Sequence, residues 1–128
     1  MAGQIGLQLY TVRDACAADL SGTLGRVAGM GFRGVELHDL YGRTPEEMRA
    51  LLDEAGLAAI GRHVALDADL DAVAAEARTL GYERVAVAWT DPVSTLDGAR
   101  ATVAPVADAA ARAEALGLRY GYHNHWHE

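Results

Sequence analysis

The last eight residues of this chain, GYHNHWHE, contain three of its five histidines and end in a glutamate. His123 and His125 are two residues apart, so on an extended strand both imidazoles project from the same side, a spacing that a metal site can use. We therefore predict that His123 and His125 bind a metal ion, with Glu128 as a further oxygen ligand. Two alternatives stay open: a histidine at a strand end often makes only a structural hydrogen bond, and Glu128 could equally be a frayed terminal residue.

Glycines divide the chain at intervals that suggest a repeating unit of helix and strand. Four helical patterns each end in a glycine that is followed at once by an apolar run, at Gly31, Gly56, Gly81 and Gly117. Glycine readily adopts the left-handed conformation that is favoured just past a helix end. The alternation predicts parallel strands joined by helical crossovers, at about residues 4–10, 33–38, 57–63, 84–89 and 118–124.

The helix that begins near Thr44 is the clearest of the predicted helices. Thr44 suits the N-cap, Pro45 suits the first helical position, and Glu47 can close a capping box. Two later segments, DLDAVAAEARTLG and ATVAPVADAAARAEALG, carry apolar residues at helical spacing. In the second, Pro105 must either lie in the first turn or kink the helix. A glycine-rich helix is also predicted from about residue 21 to residue 30.

In four of the five predicted strands a glycine stands two residues before a polar or ionisable residue: Gly6 before Gln8, Gly34 before Glu36, Gly61 before His63 and Gly121 before His123. Residues i and i+2 share one face of a strand, so each pair points the same way. A face that is small inside and polar at its C-terminal rim suits the interior of a (β/α)₈ barrel, whose active site lies at that end. An open doubly wound sheet is the alternative architecture.

Composition narrows the class of protein. With 128 residues, 51% of them hydrophobic and 23% charged, the chain predicts one globular domain covering residues 1–128. The net charge of −7 disfavours a nucleic-acid partner, because phosphate backbones are bound mainly by Lys and Arg. The single cysteine, Cys16, and the lack of a signal-peptide pattern favour the cytoplasm. No apolar run approaches the roughly 20 residues that cross a bilayer, so we expect no membrane partner.

Five stretches of the sequence together resemble the xylose isomerase-like TIM barrels. This superfamily of sugar phosphate isomerases and epimerases also contains inosose dehydratases and apurinic endonucleases. IGLQLYTVRD, GFRGVEL, IGRHVALD and LGYERVAVAW are similar to its first four strands. The final stretch is similar to a Tyr-His-Asn-His-Asp-Phe-Glu motif of one branch, matched by Tyr122, His123, Asn124, His125 and Glu128.

The resemblance implies a partial barrel. A complete barrel of this type needs about 250 residues, and this chain ends after its fifth predicted strand. We therefore expect an α/β fold that forms the N-terminal part of a (β/α)₈ barrel, with the C-terminal part missing. The resemblance also implies that an aspartate, a histidine and a glutamate from strands six to eight would complete the site. Where many epimerases of the group have a metal-binding glutamate at the end of strand five, this chain has His123.

The resemblance implies a divalent-metal-dependent isomerase or epimerase that acts on a sugar, a sugar phosphate or a related polyol through an enediolate. The ion would be Mn²⁺, Zn²⁺, Co²⁺ or Mg²⁺. We predict Glu36 and His123 as the catalytic groups and four further residues as substrate contacts: Gln8, Tyr10, His63 and Trp89. Trp89 would form the floor of a sugar pocket by stacking on the sugar ring, although it could equally belong to the core.

Three alternatives to this function stay open. Loss of a β-hydroxyl from the same intermediate would make the protein a dehydratase of the inosose or dehydroshikimate type. An endonuclease would share the barrel and the metal, but the acidic charge counts against it. The chain could also be a non-catalytic half-barrel that pairs with a second chain, because unpaired edge strands invite association; a homo-oligomer is therefore an expected partner state.

Overall fold

The computed structural model describes residues 5–126 and contains five strands and five α-helices in alternation. The strands are β1 (Gly6–Gln8), β2 (Gly34–Leu37), β3 (Ala58–Val64), β4 (Arg84–Val87) and β5 (Arg119–Tyr122). The helices are α1 (Arg13–Ala18), α2 (Leu20–Gly29), α3 (Pro45–Ala55), α4 (Leu70–Leu80) and α5 (Leu96–Ala115), and a short 3₁₀ helix covers Leu9–Val12. All five strand predictions are confirmed; four strands are shorter than predicted, and β3 is shifted by one residue.

The five strands form one parallel sheet in the order β1-β2-β3-β4-β5, which is also their order along the chain. A doubly wound sheet reverses its strand order at a switch point, and no such reversal occurs among the described strands. Sequential parallel strands with a helix in each crossover are the arrangement of a (β/α)₈ barrel. The structure therefore has the architecture of a partial barrel, as the sequence predicted.

The helix ends follow the predicted chemistry. In α3 the Thr44 hydroxyl accepts a hydrogen bond from the Glu47 backbone N–H at 3.2 Å, and the Glu47 carboxylate accepts one from the Thr44 N–H at 2.9 Å. These two bonds are the predicted capping box. Gly56 and Gly81 end α3 and α4 with φ of 70° and 82°, in the left-handed region that glycine adopts without a Cβ clash.

Two helical segments differ from the prediction. The helix α5 begins at Leu96, because the Thr95 hydroxyl caps it by accepting a hydrogen bond from the Gly98 N–H at 3.1 Å. Pro105 consequently lies in the helix interior, which excludes the first of the two predicted alternatives, a place in the first turn. The segment between β1 and α2 also contains the 3₁₀ helix and α1, which are too short for a periodic pattern to reveal.

The core lies between the sheet and the helices. Val35 and Leu37 of β2 are fully buried on this side and pack with helix residues such as Leu24, Met48 and Leu52. Burial of such apolar side chains is the main favourable contribution to folding. The opposite face of the sheet carries the glycines and polar residues. None of the described helices is long and apolar enough to span a membrane.

An extra residue in β3 explains two of the strand glycines. Val35 pairs with Ala59 but Glu36 pairs with Gly61, so Ile60 is a bulge residue without a direct partner on β2. The Ile60 side chain lies over Gly6 and Gly34, and a Cβ on either glycine would clash with it. Ile60 therefore fills the inner face of the sheet where β1 and β2 have no side chains of their own.

Candidate active site

An open cleft of about 1520 Å³ lies at the C-terminal ends of the strands. Parallel strands bring their carboxyl ends to one edge, which is where barrel enzymes place their active sites. Six residues that the sequence singled out as ligands or substrate contacts line this cleft: Gln8, Tyr10, His63, Trp89, His123 and His125. The strand ends thus converge on one basin, as the shared-face pattern predicted.

His63 is the centre of a hydrogen-bonded chain across three strands. Its Nε2 lies 3.1 Å from a carboxylate oxygen of Glu36, and its Nδ1 lies 3.1 Å from Nε2 of Gln8. The register places Gln8 opposite Glu36, and β3 runs beside β2, so the three side chains meet on the inner face. The side chain of His63 is only 11% exposed. This imidazole is fixed on both sides by its neighbours.

Glu36 is held in its ionised form. The hydrogen bond from His63 lowers the pKa of this carboxyl, with smaller contributions from the charges of His63 and His123, and burial acts in the opposite direction. Of the predicted site residues that the structure describes, Glu36 alone is not among those that line the cleft. Its side chain is 32% exposed and contacts the cleft residue His63 through the 3.1 Å hydrogen bond.

Gly61 makes room for this carboxylate. A Cβ on Gly61 would lie 3.4 Å from Oε1 of Glu36 and 3.2 Å from the carbonyl oxygen of Arg84. The glycine two residues before His63 thus serves the close approach of Glu36 to β3. The glycine and histidine of this strand share the inner face, as their spacing predicted.

A row of rings continues from His63 along the cleft. The centroids of the His63 and His123 rings are 4.7 Å apart, those of His123 and His125 are 4.8 Å apart, and those of His125 and Trp89 are 5.1 Å apart. The backbone N–H of His123 donates to the carbonyl oxygen of Val87 at 3.1 Å, which extends the pairing of β5 with β4 up to this histidine. The row joins the ends of β3, β4 and β5.

The described residues do not by themselves complete a metal site. Within residues 5–126, no group of three or more His, Cys, Asp or Glu side chains is arranged to hold a metal ion. His123 and His125 supply two imidazoles, whereas structural and catalytic zinc sites use at least three protein ligands. Glu128, the third predicted ligand, lies outside the described residues.

A second aromatic group beside the cleft was not predicted. His38, which follows β2, makes edge-to-face contacts with the rings of Tyr10 at 5.2 Å and Tyr41 at 5.5 Å. The Tyr41 hydroxyl lies 3.4 Å from Nε2 of His38. Burial lowers the pKa of His38, which favours its neutral form, while the neighbouring Asp39 acts in the opposite direction.

Tyr41 has an unusual backbone that explains why sequence reasoning missed it. Its φ of 53° lies in the left-handed region, which non-glycine residues seldom adopt. The Asp39 carboxylate accepts a hydrogen bond from the Tyr41 N–H at 2.6 Å and stabilises this turn. The only signal in the sequence is the order Asp39-Leu40-Tyr41-Gly42, which combines a turn-forming aspartate with a glycine.

Comparison with solved structures shows that the chain has the fold of xylose isomerase-like TIM barrels. A sugar phosphate isomerase/epimerase from Parabacteroides distasonis matches with a TM-score of 0.81 and 23% identity, over 95% of this chain and 55% of that chain. A xylose isomerase-like TIM barrel protein from Mycobacterium smegmatis in complex with magnesium matches with a TM-score of 0.69 and 15% identity, over 94% and 55%. A probable 3-DHS dehydratase from Bacillus anthracis matches with a TM-score of 0.65 and 11% identity, over 92% and 51%.

The chain spans about half the length of these structures. The likeness confirms the fold that the sequence stretches indicated, and this fold is shared by enzymes with different reactions. A scan against protein-family models gives no match, and a search of the curated proteins gives none either.

Proposed function

We propose that this chain forms the first five strands of a sugar isomerase or epimerase, which acts on a sugar, a sugar phosphate or a related polyol through an enediolate. The observation that carries the proposal is the convergence of His63, His123 and His125 with Trp89 on one cleft at the strand ends. The likeness in fold to a sugar phosphate isomerase/epimerase and to a probable dehydratase supports a sugar-processing enzyme in general. The choice of isomerisation or epimerisation is our proposal.

His123 is the residue best placed for proton transfer. It is exposed and lines the cleft. An imidazole can take the proton from the carbon next to a substrate carbonyl; the C–H bonding pair then forms the carbon–carbon double bond of the enediolate, and the carbonyl π pair moves to its oxygen. Return of the proton to the former carbonyl carbon, with transfer of the hydroxyl proton between the two oxygens, gives the isomer. Delivery of a proton to the opposite face of the original carbon gives the epimer.

Glu36 supports the site by holding His63 in place. Its carboxylate accepts a hydrogen bond from Nε2 of His63 at 3.1 Å, and the charge of His123 lowers the pKa of Glu36, so this negative charge is close to both rings. This is the role we propose for the carboxylate that the sequence predicts as catalytic.

Aromatic side chains supply the surface for a sugar. The Trp89 side chain is 58% exposed at the end of β4, and Tyr10 is 55% exposed at the end of β1. Both line the cleft, and an exposed ring offers an apolar face to the carbon skeleton of a sugar while leaving its hydroxyls free to form hydrogen bonds. We propose a small carbohydrate as the partner of this site, and neither nucleic acid nor a membrane.

A divalent ion, Mn²⁺, Zn²⁺, Co²⁺ or Mg²⁺, is part of the proposal for the whole protein. The neighbour from Mycobacterium smegmatis was solved with magnesium. Because the described residues do not fit a complete metal site, the roles above are assigned to side chains alone. We place the protein in the cytoplasm, where the buried thiol of Cys16 would stay reduced.

Exchange of the substrate α-proton with D₂O tests the proposal directly. Because similar structures are about twice as long, the assay uses the longest polypeptide encoded in frame with this chain, with ketoses, ketose phosphates and inososes as candidate substrates. We expect the α-proton signal of the substrate to disappear from the NMR spectrum as deuterium replaces the proton. In His123→Ala the rate of this exchange should fall by at least about 100-fold, the size typical of a lost general base.

Asn124→Ala is the matched control for this experiment, because it removes a polar side chain adjacent to His123 and is expected to leave exchange unchanged. Failure of every candidate substrate to exchange would contradict the proposal, as would equal exchange rates in His123→Ala and the parent. Exchange accompanied by loss of a β-hydroxyl would replace the isomerase by a dehydratase.

A further inference from the structure

The amide group of Gln8 is fixed in one orientation by the backbone. Its Oε1 accepts a hydrogen bond from the N–H of Tyr10, at the start of the 3₁₀ helix. A backbone N–H can only donate, so the oxygen of the amide must face Tyr10 and the NH₂ group must face the other way. Oxygen and nitrogen of this side chain are thus assigned without ambiguity.

The orientation of Gln8 determines the proton position on His63. The Gln8 NH₂ group lies 3.1 Å from Nδ1 of His63, and because NH₂ donates, Nδ1 must accept. The remaining ring nitrogen, Nε2, lies 3.1 Å from the Glu36 carboxylate, which can only accept when ionised. Nε2 must therefore carry the hydrogen. Both contacts are satisfied by one form of the imidazole.

The alternative tautomer of His63 creates two conflicts. With the hydrogen on Nδ1 alone, Nε2 and the Glu36 carboxylate would face each other as two acceptors, and Nδ1 would face the NH₂ group as two donors. Turning the amide of Gln8 by 180° would remove the second conflict but would set its NH₂ group against the Tyr10 N–H. Hydrogen-bonding groups that face a like group in a partly buried site are strongly disfavoured.

We propose that Gln8 is a positioning residue that fixes the ring hydrogen of His63 on Nε2 and keeps Nδ1 as an acceptor. Both polar ends of the Gln8 amide are engaged, by Tyr10 and by His63, so this role takes the place of the predicted contact with substrate. His63 in turn has both nitrogens engaged and presents its ring to His123, 4.7 Å away between centroids. In this chain of hydrogen bonds the Tyr10 N–H donates to Gln8, Gln8 donates to His63, and His63 donates to Glu36.

The inference concerns the resting protein and does not depend on the proposed reaction. Nitrogen-15 NMR of the His63 ring distinguishes the two tautomers without any substrate. In the parent protein we expect a single tautomer with an unprotonated Nδ1 and a protonated Nε2. A parent spectrum with the hydrogen on Nδ1, or with a mixture of tautomers, would overturn the proposal.

Two variants of Gln8 separate positioning from mere packing. Gln8→Met keeps the length of the side chain and removes both of its hydrogen bonds, so we expect His63 to lose its single tautomer and become a mixture. Gln8→Glu replaces the donor NH₂ by an acceptor oxygen, so Nδ1 is expected to become protonated. Tyr10→Phe keeps the backbone N–H and is the control that must leave the tautomer unchanged.

The outcomes are independent of any loss of activity. An unchanged single tautomer in Gln8→Met, or an unprotonated Nδ1 in Gln8→Glu, would refute the role of Gln8 even if both variants were inactive. Should Gln8→Met fail to give a dispersed spectrum, Gln8→Glu decides the question, since it keeps an acceptor for the Tyr10 N–H and nearly the same volume.

Discussion

At the scale of single residues, the hydrogen bond between His63 and Glu36 sets the electrostatics of the site. It is the largest cause of the lowered pKa of Glu36, whose ordinary value is 4.5. We expect His63→Phe to raise the pKa of Glu36 toward that value, measured by a carbon-13 NMR titration of its carboxyl group. His125→Phe removes an imidazole that does not contact Glu36 and is the matched control; an equal rise in both variants would contradict the assignment.

The same shift has a defined effect on stability. Because the folded pKa of Glu36 is below the unfolded one, the bond contributes stability that is fully present above the unfolded pKa. This contribution is lost as the pH falls through the folded pKa. We therefore expect the free energy of unfolding of His63→Phe to fall less than that of the parent as the pH is lowered from about 5. Urea unfolding at a series of pH values measures this difference.

Residue types and spacing predicted the members of the site better than their roles. The two-residue period of a strand was enough to place Gln8, His63 and His123 on one face. The period does not say which side chains are hydrogen-bonded to each other, so it could not show that His63 contacts both Glu36 and Gln8. Tyr41 was missed because its position depends on a turn with positive φ rather than on a repeating pattern.

At the scale of elements, the bulge in β3 couples three strands through Ile60. We expect Gly34→Ala to lower the free energy of unfolding by about 1–3 kcal/mol, because its Cβ would lie 2.5 Å from Cγ2 of Ile60 and 3.1 Å from the Ala58 carbonyl oxygen. Combining it with Ile60→Ala should cost less than the sum of the two single changes. Denaturant unfolding of the four proteins measures the coupling.

Gly121→Ala is the control for this cycle. Gly121 stands two residues before His123, as Gly34 stands two residues before Glu36, but its Cβ would have no atom closer than 3.7 Å. Its substitution is expected to be nearly neutral. Additive effects of Gly34→Ala and Ile60→Ala would show that Ile60 does not occupy the space left by the glycine.

Strands and helix ends were predictable because local chemistry determines them. Thr44 with Glu47 and the glycines after α3 and α4 act within a few residues, so their spacing in the sequence is sufficient. The start of α5 was not predictable in the same way, because Pro105 indicated a helix beginning closer to itself. The cap at Thr95 and the turns before Pro105 extend that helix instead.

At the scale of the whole molecule, the sheet has two edges. Within residues 5–126, β1 pairs with β2 alone and β5 pairs with β4 alone. Free edges offer unpaired N–H and C=O groups to another chain. We expect the 128-residue chain to associate as its concentration rises, so that sedimentation velocity gives an average mass above 13.5 kDa. A constant mass of 13.5 kDa at all concentrations would argue against open edges in solution.

The sequence predicted alternating helices and strands, but this alternation did not decide between two architectures. Alternating helices and strands fit both a barrel segment and a doubly wound sheet, because each places helices in the crossovers. Only the order of strands separates them, and that order depends on contacts between residues far apart in the chain. The glycines that precede polar residues in four of the strands were the local indication of a barrel interior.

The packing of Ile60 over Gly6 and Gly34 also bears on how this protein can change over generations. A side chain at position 6 or 34 would occupy the space of the branched side chain at position 60. Evolution must therefore replace Ile60 by a smaller residue before it can replace either glycine by a larger one. We expect natural variants to trade size among these three positions while their total volume stays nearly constant.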